Sequence, residues 1–276
     1  MCADGVTRHS DMSEPLLISY CTPVLNEELF LPFYLRNLAL TEAPCELVVT
    51  DGGSTDNTVG LIEQFASEHP HIRVDLEVIK QTGRPYTDDW DEGVARNHLL
   101  DRCRGELVVL ADADEIIEAK DLTVVFATMA ITGYSLAHLF FVPFWGSLRK
   151  VRVNTPEDAR WFGIQLGRII RNGHWRYSDK SHHCVITQTG LGSTGSFDVR
   201  AYHLHYGFGK AGIKPGDNRR ADLLRPEDNI SMFAVPDIIE DPDFSDKKWK
   251  TDVGWVMHVQ TEEYRGPWPE VLKDNL

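Results

Sequence analysis

Apolar runs of strand length alternate with helix-like segments over the first 125 residues of this chain. Four of these runs have the composition of strands: LLISYC (16–21), ELVVTD (46–51), IRVDLEVI (72–79) and ELVVLAD (106–112). Three segments between them carry apolar residues at helical spacing: EELFLPFYLRNLAL (27–40), VGLIEQFASE (59–68) and DEGVARNHLLDRC (91–103). This alternation predicts right-handed crossovers and a mainly parallel sheet with helices on both faces.

The second half of the chain has a different pattern. Four strand-like segments occur with Gly-rich interruptions such as TGLGSTGS: SLAHLFFVPF (135–144), WFGIQLGRIIRN (161–172), HHCVIT (182–187) and FDVRAYHLHYGF (197–208). They predict antiparallel or mixed-sheet additions to the same α/β core. The resulting division is an N-terminal tail at 1–14, one domain at 15–225, and a C-terminal extension at 226–276 packed on that domain.

Charge, cysteine usage and hydropathy exclude several classes of protein. A formal net charge of −14 argues against a broad nucleic-acid-binding surface. The five cysteines are scattered and never form a C-x-x-C pair, so neither a disulfide framework nor a thiolate zinc site is predicted. No run approaches the roughly 20 apolar residues of a membrane-spanning helix, and the polar start MCADGVTRHSDMSE does not resemble a secretory signal. We therefore expect a cytoplasmic protein without a transmembrane segment.

Polar residues follow three of the four predicted strands, at 22–27, 51–58 and 112–115. In open parallel sheets, ligands bind outside the carboxyl ends of the strands, so these segments predict a binding site at one rim. Each segment also has a simpler interpretation, because Asp51-Gly52-Gly53 can be a turn and Asn26-Glu27 can open a helix.

The third of these segments places Asp112, Asp114 and Glu115 directly after a buried strand. Carboxylates crowded there repel one another and lose hydration, so they need a compensating cation, hydrogen-bond donors or full exposure to solvent. A D-x-D pair can supply oxygen ligands to a divalent ion, which can in turn neutralise a diphosphate.

Four ordered motifs make the chain resemble glycosyltransferase family 2, whose members have the GT-A fold. The motifs are SYCTPVLNEELFLPFYLRNL, ELVVTDGGSTDNTV, GVARNHLLDRCRGELVVLADADE and HLHYGF, and they span roughly residues 15–225. The resemblance implies a GT-A mixed sheet and transfer of a sugar, with inversion, from a nucleoside diphosphate sugar, with Mn²⁺ or Mg²⁺ as cofactor. A UDP-sugar is the expected donor, and the acceptor is an unidentified glycan, lipid, protein or small molecule.

The resemblance also implies roles for individual residues. The nucleotide-sugar site would contain Pro23, Asn26 and Glu27 from the first loop, Asp51 at the base, Arg96 in the same pocket, and Asp112 near the ribose or the metal. Asp114 and His205 would bind the metal. Two simpler interpretations remain open: Arg96 can pair with a surface acid, and Tyr202, His203 and His205 can pack at a core edge.

The catalytic base is where the chain departs from the family pattern. Many relatives carry H-E after an aromatic strand, whereas this chain has GRIIRNGHWRYSDKSHHCVI, so His183 stands where the glutamate would be. An imidazole can accept a proton near neutral pH, which makes His183 a candidate base. Asp179 is the competing candidate, and a solvated loop is the alternative for both.

A basic stretch follows His205. GKAGIKPGDNRR contains Lys210, Lys214, Arg219 and Arg220, and its glycines suit a lid over the donor diphosphate, with Arg219 among the nucleotide-sugar-binding residues. A solvated, charged helix start is the alternative.

Two other functions stay open at this point. One is a non-catalytic protein that binds sugar nucleotides or glycans, which the altered base segment favours. The other is a nucleotidyltransferase-like enzyme, although CTPVLNEELF lacks the Gly-rich phosphate loop and lysine that such enzymes usually carry after the first strand.

Overall fold

The computed structural model describes residues 17–81, 92–145, 148–153, 165–178, 186–206, 248–250, 256–258 and 261–275 of the chain. The first half contains β1 (Ile18–Val24), α1 (Leu31–Ala39), β2 (Cys45–Asp51), α2 (Thr58–Glu68), β3 (Arg73–Val78), α3 (Glu92–Asp101) and β4 (Leu107–Leu110). The rest contains β5 (Glu115–Ile117), α4 (Ala119–Thr132), β6 (Tyr134–Trp145), β7 (Lys150–Arg152), β8 (Gln165–Arg171), β9 (Trp175–Tyr177), β10 (Ile186–Gln188), β11 (Ser193–Tyr206), β12 (Lys248–Lys250), β13 (Val256–His258), β14 (Thr261–Glu263) and a 3₁₀ helix, Glu270–Asn275.

The predicted parallel half is confirmed. Strands β4, β1, β2 and β3 are neighbours in that order, and all three of their pairings are parallel. Their register aligns Val24 with Asp51 and Cys21 with Leu110, so the loops after β1, β2 and β4 leave the sheet at the same rim. This register is what brings the polar segments of the sequence together.

The second half adds antiparallel strands to the same sheet. Strand β8 is antiparallel to both β4 and β6, and β7 continues the sheet beyond β6. Strand β11 pairs parallel with β6 and antiparallel with the short β5. Ten of the described strands thus form one mixed sheet, which confirms the predicted fold class.

The segment at 182–187, predicted as an antiparallel or mixed-sheet addition to the core, does not join the main sheet. Its described part belongs to β10, which pairs with β9 in a separate two-stranded sheet. The side-chain amide of Asn97 in α3 donates to the Tyr177 carbonyl and accepts from the Tyr177 N–H, both at 2.9 Å. These bonds fix the small sheet on α3 instead of at an edge of the main sheet.

The core lies on both faces of the main sheet because alternate strand residues point to opposite sides. On one face, Tyr20, Val109 and their neighbours pack with α1, α2 and α4. On the other, Cys21 and Val108 pack with Leu99 and Leu100 of α3. Continuous apolar strands such as β4 are therefore explained by burial on both sides.

A buried polar cluster holds the amino ends of the strands, at the rim opposite the polar loops. Glu46 of β2 is 1% exposed and accepts hydrogen bonds from the Ser19 hydroxyl and the Arg104 N–H, both at 2.6 Å. Arg73 donates to its other oxygen at 2.6 Å. The carboxylate is thus paired and hydrogen-bonded, as a buried charge must be.

Residues 261–275 pack against the domain. Strand β14 is antiparallel to β7, the Tyr202 hydroxyl donates to the Pro267 carbonyl at 2.9 Å, and the Trp268 indole donates to the Leu148 carbonyl at 2.6 Å. The predicted boundaries at 14/15 and 225/226 lie outside the described residues and stay a prediction. Within the described part of the chain, no helix combines the length and the apolar character that crossing a bilayer requires.

Gly105 permits the close approach of the loop before β4 to β1. A Cβ atom on it would lie 2.6 Å from the Ser19 backbone nitrogen and 2.7 Å from the Leu17 carbonyl oxygen. We expect Gly105→Ala to lower the free energy of unfolding by about 1–3 kcal/mol, because main chain must move to admit the methyl group. Urea denaturation measures this change.

Gly52→Ala is the matched control, since the atoms nearest its added Cβ would be those of Leu25 at 3.4–3.5 Å, an ordinary contact. Equal losses of stability in the two variants would show that the close backbone approach at Gly105 is not the cause of the loss.

Candidate functional site

The loops after β1 and β2 are joined by hydrogen bonds. Asn26 has a left-handed backbone with φ of 54°, a conformation that asparagine tolerates better than most residues. Its backbone N–H donates to the Ser54 hydroxyl at 2.8 Å, and its side-chain oxygen accepts from the Thr55 N–H at 2.7 Å. Asn26 therefore bonds to the second loop through both its main chain and its side chain.

Asp51 holds the second loop in shape. It is 1% exposed, and its Oδ2 accepts the N–H groups of Gly53 at 2.8 Å and Ser54 at 2.9 Å. The Ser54 hydroxyl donates to Oδ1 of the same carboxylate. A chain of hydrogen bonds thus runs from Asp51 through Ser54 to Asn26 in the first loop.

Further bonds link the loops beside Glu27. The backbone N–H of this buried glutamate donates to the Thr58 hydroxyl at 2.6 Å, and that hydroxyl donates to Asp56 at 2.6 Å. The Glu28 N–H also donates to Asp56, at 3.1 Å, and the Glu28 side chain accepts from the Asn57 N–H at 3.0 Å. The two loops therefore form one hydrogen-bonded unit, which we call the double loop (residues 26–28 and 51–58).

Arg96 of α3 pairs with Asp112 in the turn after β4, which we call the acidic turn (residues 112–115). Its guanidinium donates to Asp112 at 2.9 and 3.4 Å and to Glu92 at 2.6 Å, and it lies over the ring of Tyr177, 5.5 Å from the ring centre. Arg96 thus pairs with two partly exposed acids, as its simpler interpretation allowed, and one of them, Asp112, is itself a predicted site residue. Arg96 links the parallel half of the sheet to the small sheet that carries Tyr177.

This pairing sets the ionisation of Asp112. Desolvation raises the pKa of its carboxyl, but the charge and the hydrogen bonds of Arg96 outweigh that effect, and the pKa lies below its usual value. Its side chain remains 45% exposed, so a ligand at the rim can still reach it.

Glu115 is buried beside Asp112 and has its own arginine. Arg168 of β8 binds it with two hydrogen bonds, at 2.7 and 2.8 Å. Burial lowers the pKa of Arg168, but the charge of Glu115 more than offsets this and raises it, so the guanidinium stays protonated. Burial also raises the pKa of Glu115, against the opposing charge of Arg168.

Asp114 faces β11. Its side chain is 7% exposed, and its Oδ2 lies 3.7 Å from Nε2 of His203. Its carbonyl accepts the Leu204 N–H at 2.8 Å. Among the side chains that the structure describes, no group of three His, Cys, Asp or Glu residues could hold a metal ion.

The structure brings most of the residues predicted to bind the nucleotide sugar, and Asp114 of the predicted metal site, to one rim. Pro23 ends β1 together with Val24, and the other members lie on the double loop, on α3 and in the acidic turn: Asn26, Glu27, Asp51, Arg96, Asp112 and Asp114. His205 belongs to β11, but its side chain lies outside the described part of the chain, as do Asp179, His183 and Arg219 entirely.

Three residues at this rim were not predicted: Arg168, Tyr177 and His203. The sequence signal for Arg168 is its place in a strand, GRIIRN, where an arginine between apolar residues needs an acidic partner. His203 lies two residues before His205, and its position opposite Glu115 in the β5–β11 register depends on strand pairing that the sequence does not specify.

Residues 19–191 match the sequence profile of the family described as Glycosyl transferase family 2. One curated relative is the lipopolysaccharide core biosynthesis glycosyltransferase LpsC of Rhizobium meliloti (strain 1021), which is 27% identical over 189 residues. The alignment covers 62% of this chain and 58% of LpsC, so the chain spans less than two thirds of that relative.

Several solved structures resemble this fold with TM-scores below 0.5. TarS 1–349 of S. aureus has a TM-score of 0.47 and 17% identity, covering 68% of this chain and 60% of that chain. The mannosyltransferase PcManGT of Pyrobaculum calidifontis, in complex with GDP-Man and Mn²⁺, has a TM-score of 0.38 and 24% identity, covering 53% and 38%. Because these TM-scores are below 0.5, the fold assignment rests on the strand order and on the profile match.

We expect Arg96→Met to raise the pKa of Asp112, because desolvation remains while the compensating charge is lost. In the unaltered protein, the lowered pKa contributes stability that is present above about pH 4 and is lost as the pH falls through the pKa of the folded state. A ¹³C NMR titration of side-chain carboxyls, assigned with Asp112→Asn, measures the change.

Arg176→Met is the control, because Arg176 pairs with Asp101, whose side chain is 58% exposed. An unchanged Asp112 pKa in Arg96→Met would show that Arg96 does not set its ionisation.

Proposed function

This chain belongs to glycosyl transferase family 2, and on that premise we propose that it transfers a sugar from a nucleoside diphosphate sugar to an acceptor hydroxyl. The observation that carries the proposal is the convergence of the double loop, Arg96 and the acidic turn at the carboxyl ends of β1, β2 and β4. That rim is where sheets of this type bind nucleotides.

The oxygen donors at the rim fit a hard divalent cation. Asp112 and Asp114 offer carboxylate oxygens, which Mn²⁺ and Mg²⁺ accept. Magnesium sites commonly use one or two carboxylates and take their remaining ligands from substrate phosphates and water. A few protein ligands are therefore enough. We propose that Asp114 and His205 hold the ion, with Asp112 beside it. When bound, the ion supplies positive charge that stabilises the diphosphate leaving group.

We assign binding of the nucleoside to the double loop and Arg96. Asp51 fixes the loop conformation, and its carboxylate has little acceptor capacity left. A carboxylate has about four acceptor positions, and three hydrogens from Gly53 and Ser54 already use three of them. We propose that the one position that remains, on Oδ1, accepts the single N3–H of uracil, whereas the adjacent N1–H and N2–H donors of guanine would need two positions. This count supports a UDP-sugar as the donor.

Transfer with inversion requires a base on the acceptor side. We propose that His183, or Asp179 in its place, accepts the proton of the acceptor hydroxyl as that oxygen attacks the anomeric carbon opposite the departing diphosphate. We further propose that Arg219, in the basic stretch after β11, contacts the donor diphosphate. These three residues lie outside the described part of the chain, so their assignment rests on the sequence.

We expect Asp114→Asn to reduce metal-dependent release of UDP from UDP-sugars by about 100-fold or more, because the loss of a metal ligand removes several kcal/mol of stabilisation. The melting temperature should change by less than about 4 °C, the shift expected for about 1 kcal/mol. UDP release from UDP-glucose, UDP-galactose and UDP-N-acetylglucosamine, with and without Mn²⁺, is the measurement.

Asp101→Asn serves as the control, since Asp101 lies at the far end of α3 and is exposed. Turnover by Asp114→Asn at the unaltered rate would remove Asp114 from the proposed metal site. If the unaltered protein binds nucleotides but releases no diphosphate from UDP-, GDP- or dTDP-sugars, a binding protein is the better interpretation.

We expect UDP to bind at least about tenfold more tightly than GDP in the presence of Mn²⁺, a difference of about 1.4 kcal/mol. Isothermal titration calorimetry measures both affinities. N3-methyl-UDP is the control, because a methyl group replaces its N3–H donor and it should lose the advantage of UDP. Equal affinities for UDP and GDP would contradict the role given to Asp51.

A further inference from the structure

Arg168 has every guanidinium nitrogen engaged within the protein. Nε and one terminal nitrogen donate to the two oxygens of Glu115, at 2.8 and 2.7 Å, and the other terminal nitrogen donates to the Gly167 carbonyl at 3.2 Å. Its side chain is 21% exposed. Three of its five N–H donors are thus used within the protein, and the two shortest of these bonds are to Glu115.

Glu115 immediately follows Asp114 and begins β5. Its side chain is 5% exposed, and burying an ionised carboxylate is costly unless a partner binds both oxygens. Arg168 meets that requirement with the planar, two-pronged geometry that arginine provides and lysine does not. The pair therefore fixes the side chain of Glu115, and with it the first residue of β5.

The main chain around Asp114 is held by two further bonds. The Glu115 N–H donates to the Asp112 carbonyl at 2.9 Å, which closes the acidic turn, and the Leu204 N–H donates to the Asp114 carbonyl at 2.8 Å. Strand β11 pairs with β5 so that His203 is opposite Glu115. Asp114 thus lies between a turn, a strand pairing and the residue that Arg168 binds.

We propose that Arg168 is a positioning residue, which fixes Glu115 and thereby orients Asp114 toward the divalent cation. The inference rests on the proposed function, because Asp114 is there assigned to the metal. Arg168 touches neither the donor nor the reacting atoms in this scheme. Its contribution is to reduce the conformational freedom of Asp114 before the ion and the diphosphate bind.

The test is the double variant Arg168→Gln/Glu115→Gln. Removal of both charges avoids a buried carboxylate without a cation, which would destabilise the fold for an unrelated reason. We expect Mn²⁺ to bind at least about tenfold more weakly in the presence of UDP, measured by calorimetry, because Asp114 loses its fixed orientation. We also expect amide hydrogen exchange at 113–118 and 201–204 to be at least about tenfold faster, with exchange at 45–51 unchanged.

A matched control is the double variant Arg73→Gln/Glu46→Gln. It removes another ion pair with a buried glutamate, joined at 2.6 Å, from the opposite rim of the same sheet. This control should lower the melting temperature without changing the Mn²⁺ affinity. The single variant Arg168→Lys keeps the charge but not the paired bonds, so its Mn²⁺ affinity should lie between those of the unaltered protein and the Gln/Gln variant.

Unaltered Mn²⁺ affinity and unaltered exchange at 113–118 in the Arg168→Gln/Glu115→Gln protein would overturn the proposal. So would an equal loss of affinity in the control pair, because the effect would then be one of general stability. If the unaltered protein binds no Mn²⁺ with UDP, the metal-dependent function fails. The exchange data then still decide whether Arg168 orders the chain at Asp114.

Discussion

The acidic turn after β4 is the constraint on which the rest of this structure depends. Three carboxylates, Asp112, Asp114 and Glu115, occur within four residues at the end of a strand buried on both faces, where lost hydration and mutual repulsion oppose folding. Arginines compensate two of them, Asp112 and Glu115, and each arginine comes from a different half of the molecule. Arg96 belongs to α3 of the parallel half, and Arg168 to β8, the antiparallel neighbour of β4. The ion pairs that make the turn possible therefore also join the two halves of the sheet.

These two ion pairs reduce the number of carboxylates that a metal ion would have to neutralise. From the sequence, a divalent cation, hydrogen-bond donors or solvent exposure could each explain the acidic run as a whole. In the structure, Asp112 and Glu115 are bound by guanidinium groups that are part of the fold, and only Asp112 is also substantially exposed. In the proposed function, the ion would then act at Asp114 and at the donor diphosphate. The counter-charges that hold Asp112 and Glu115 belong to the folded chain itself.

The sequence predicted the parallel half well because its information is local. Apolar strands, helical periodicity and turn residues specified the order of elements, and parallel pairing then required the three polar loops to share a rim. It did not predict helix α4, whose sequence contains the consecutive β-branched residues Thr123, Val124 and Val125, which favour strands. Arg168 was also missed, because its pairing with Glu115 spans 53 residues and depends on which strand lies beside β4. Partners of this kind follow from sheet order, which local patterns do not determine.

The double loop shows why a site of this kind is built from short polar side chains. Ser54 bonds to Asp51 and to the first loop, and Asp56 accepts hydrogen bonds from the Thr58 hydroxyl and from the Glu28 N–H. Short side chains lose little rotamer freedom when they are fixed, so the loops can be ordered at a modest entropic cost. That cost is met during folding and not when the donor binds, and a rigid loop leaves more of the contact energy available for affinity. The same reasoning applies to the acidic turn, so both walls of the proposed nucleotide site are ordered by contacts that the folded chain makes with itself.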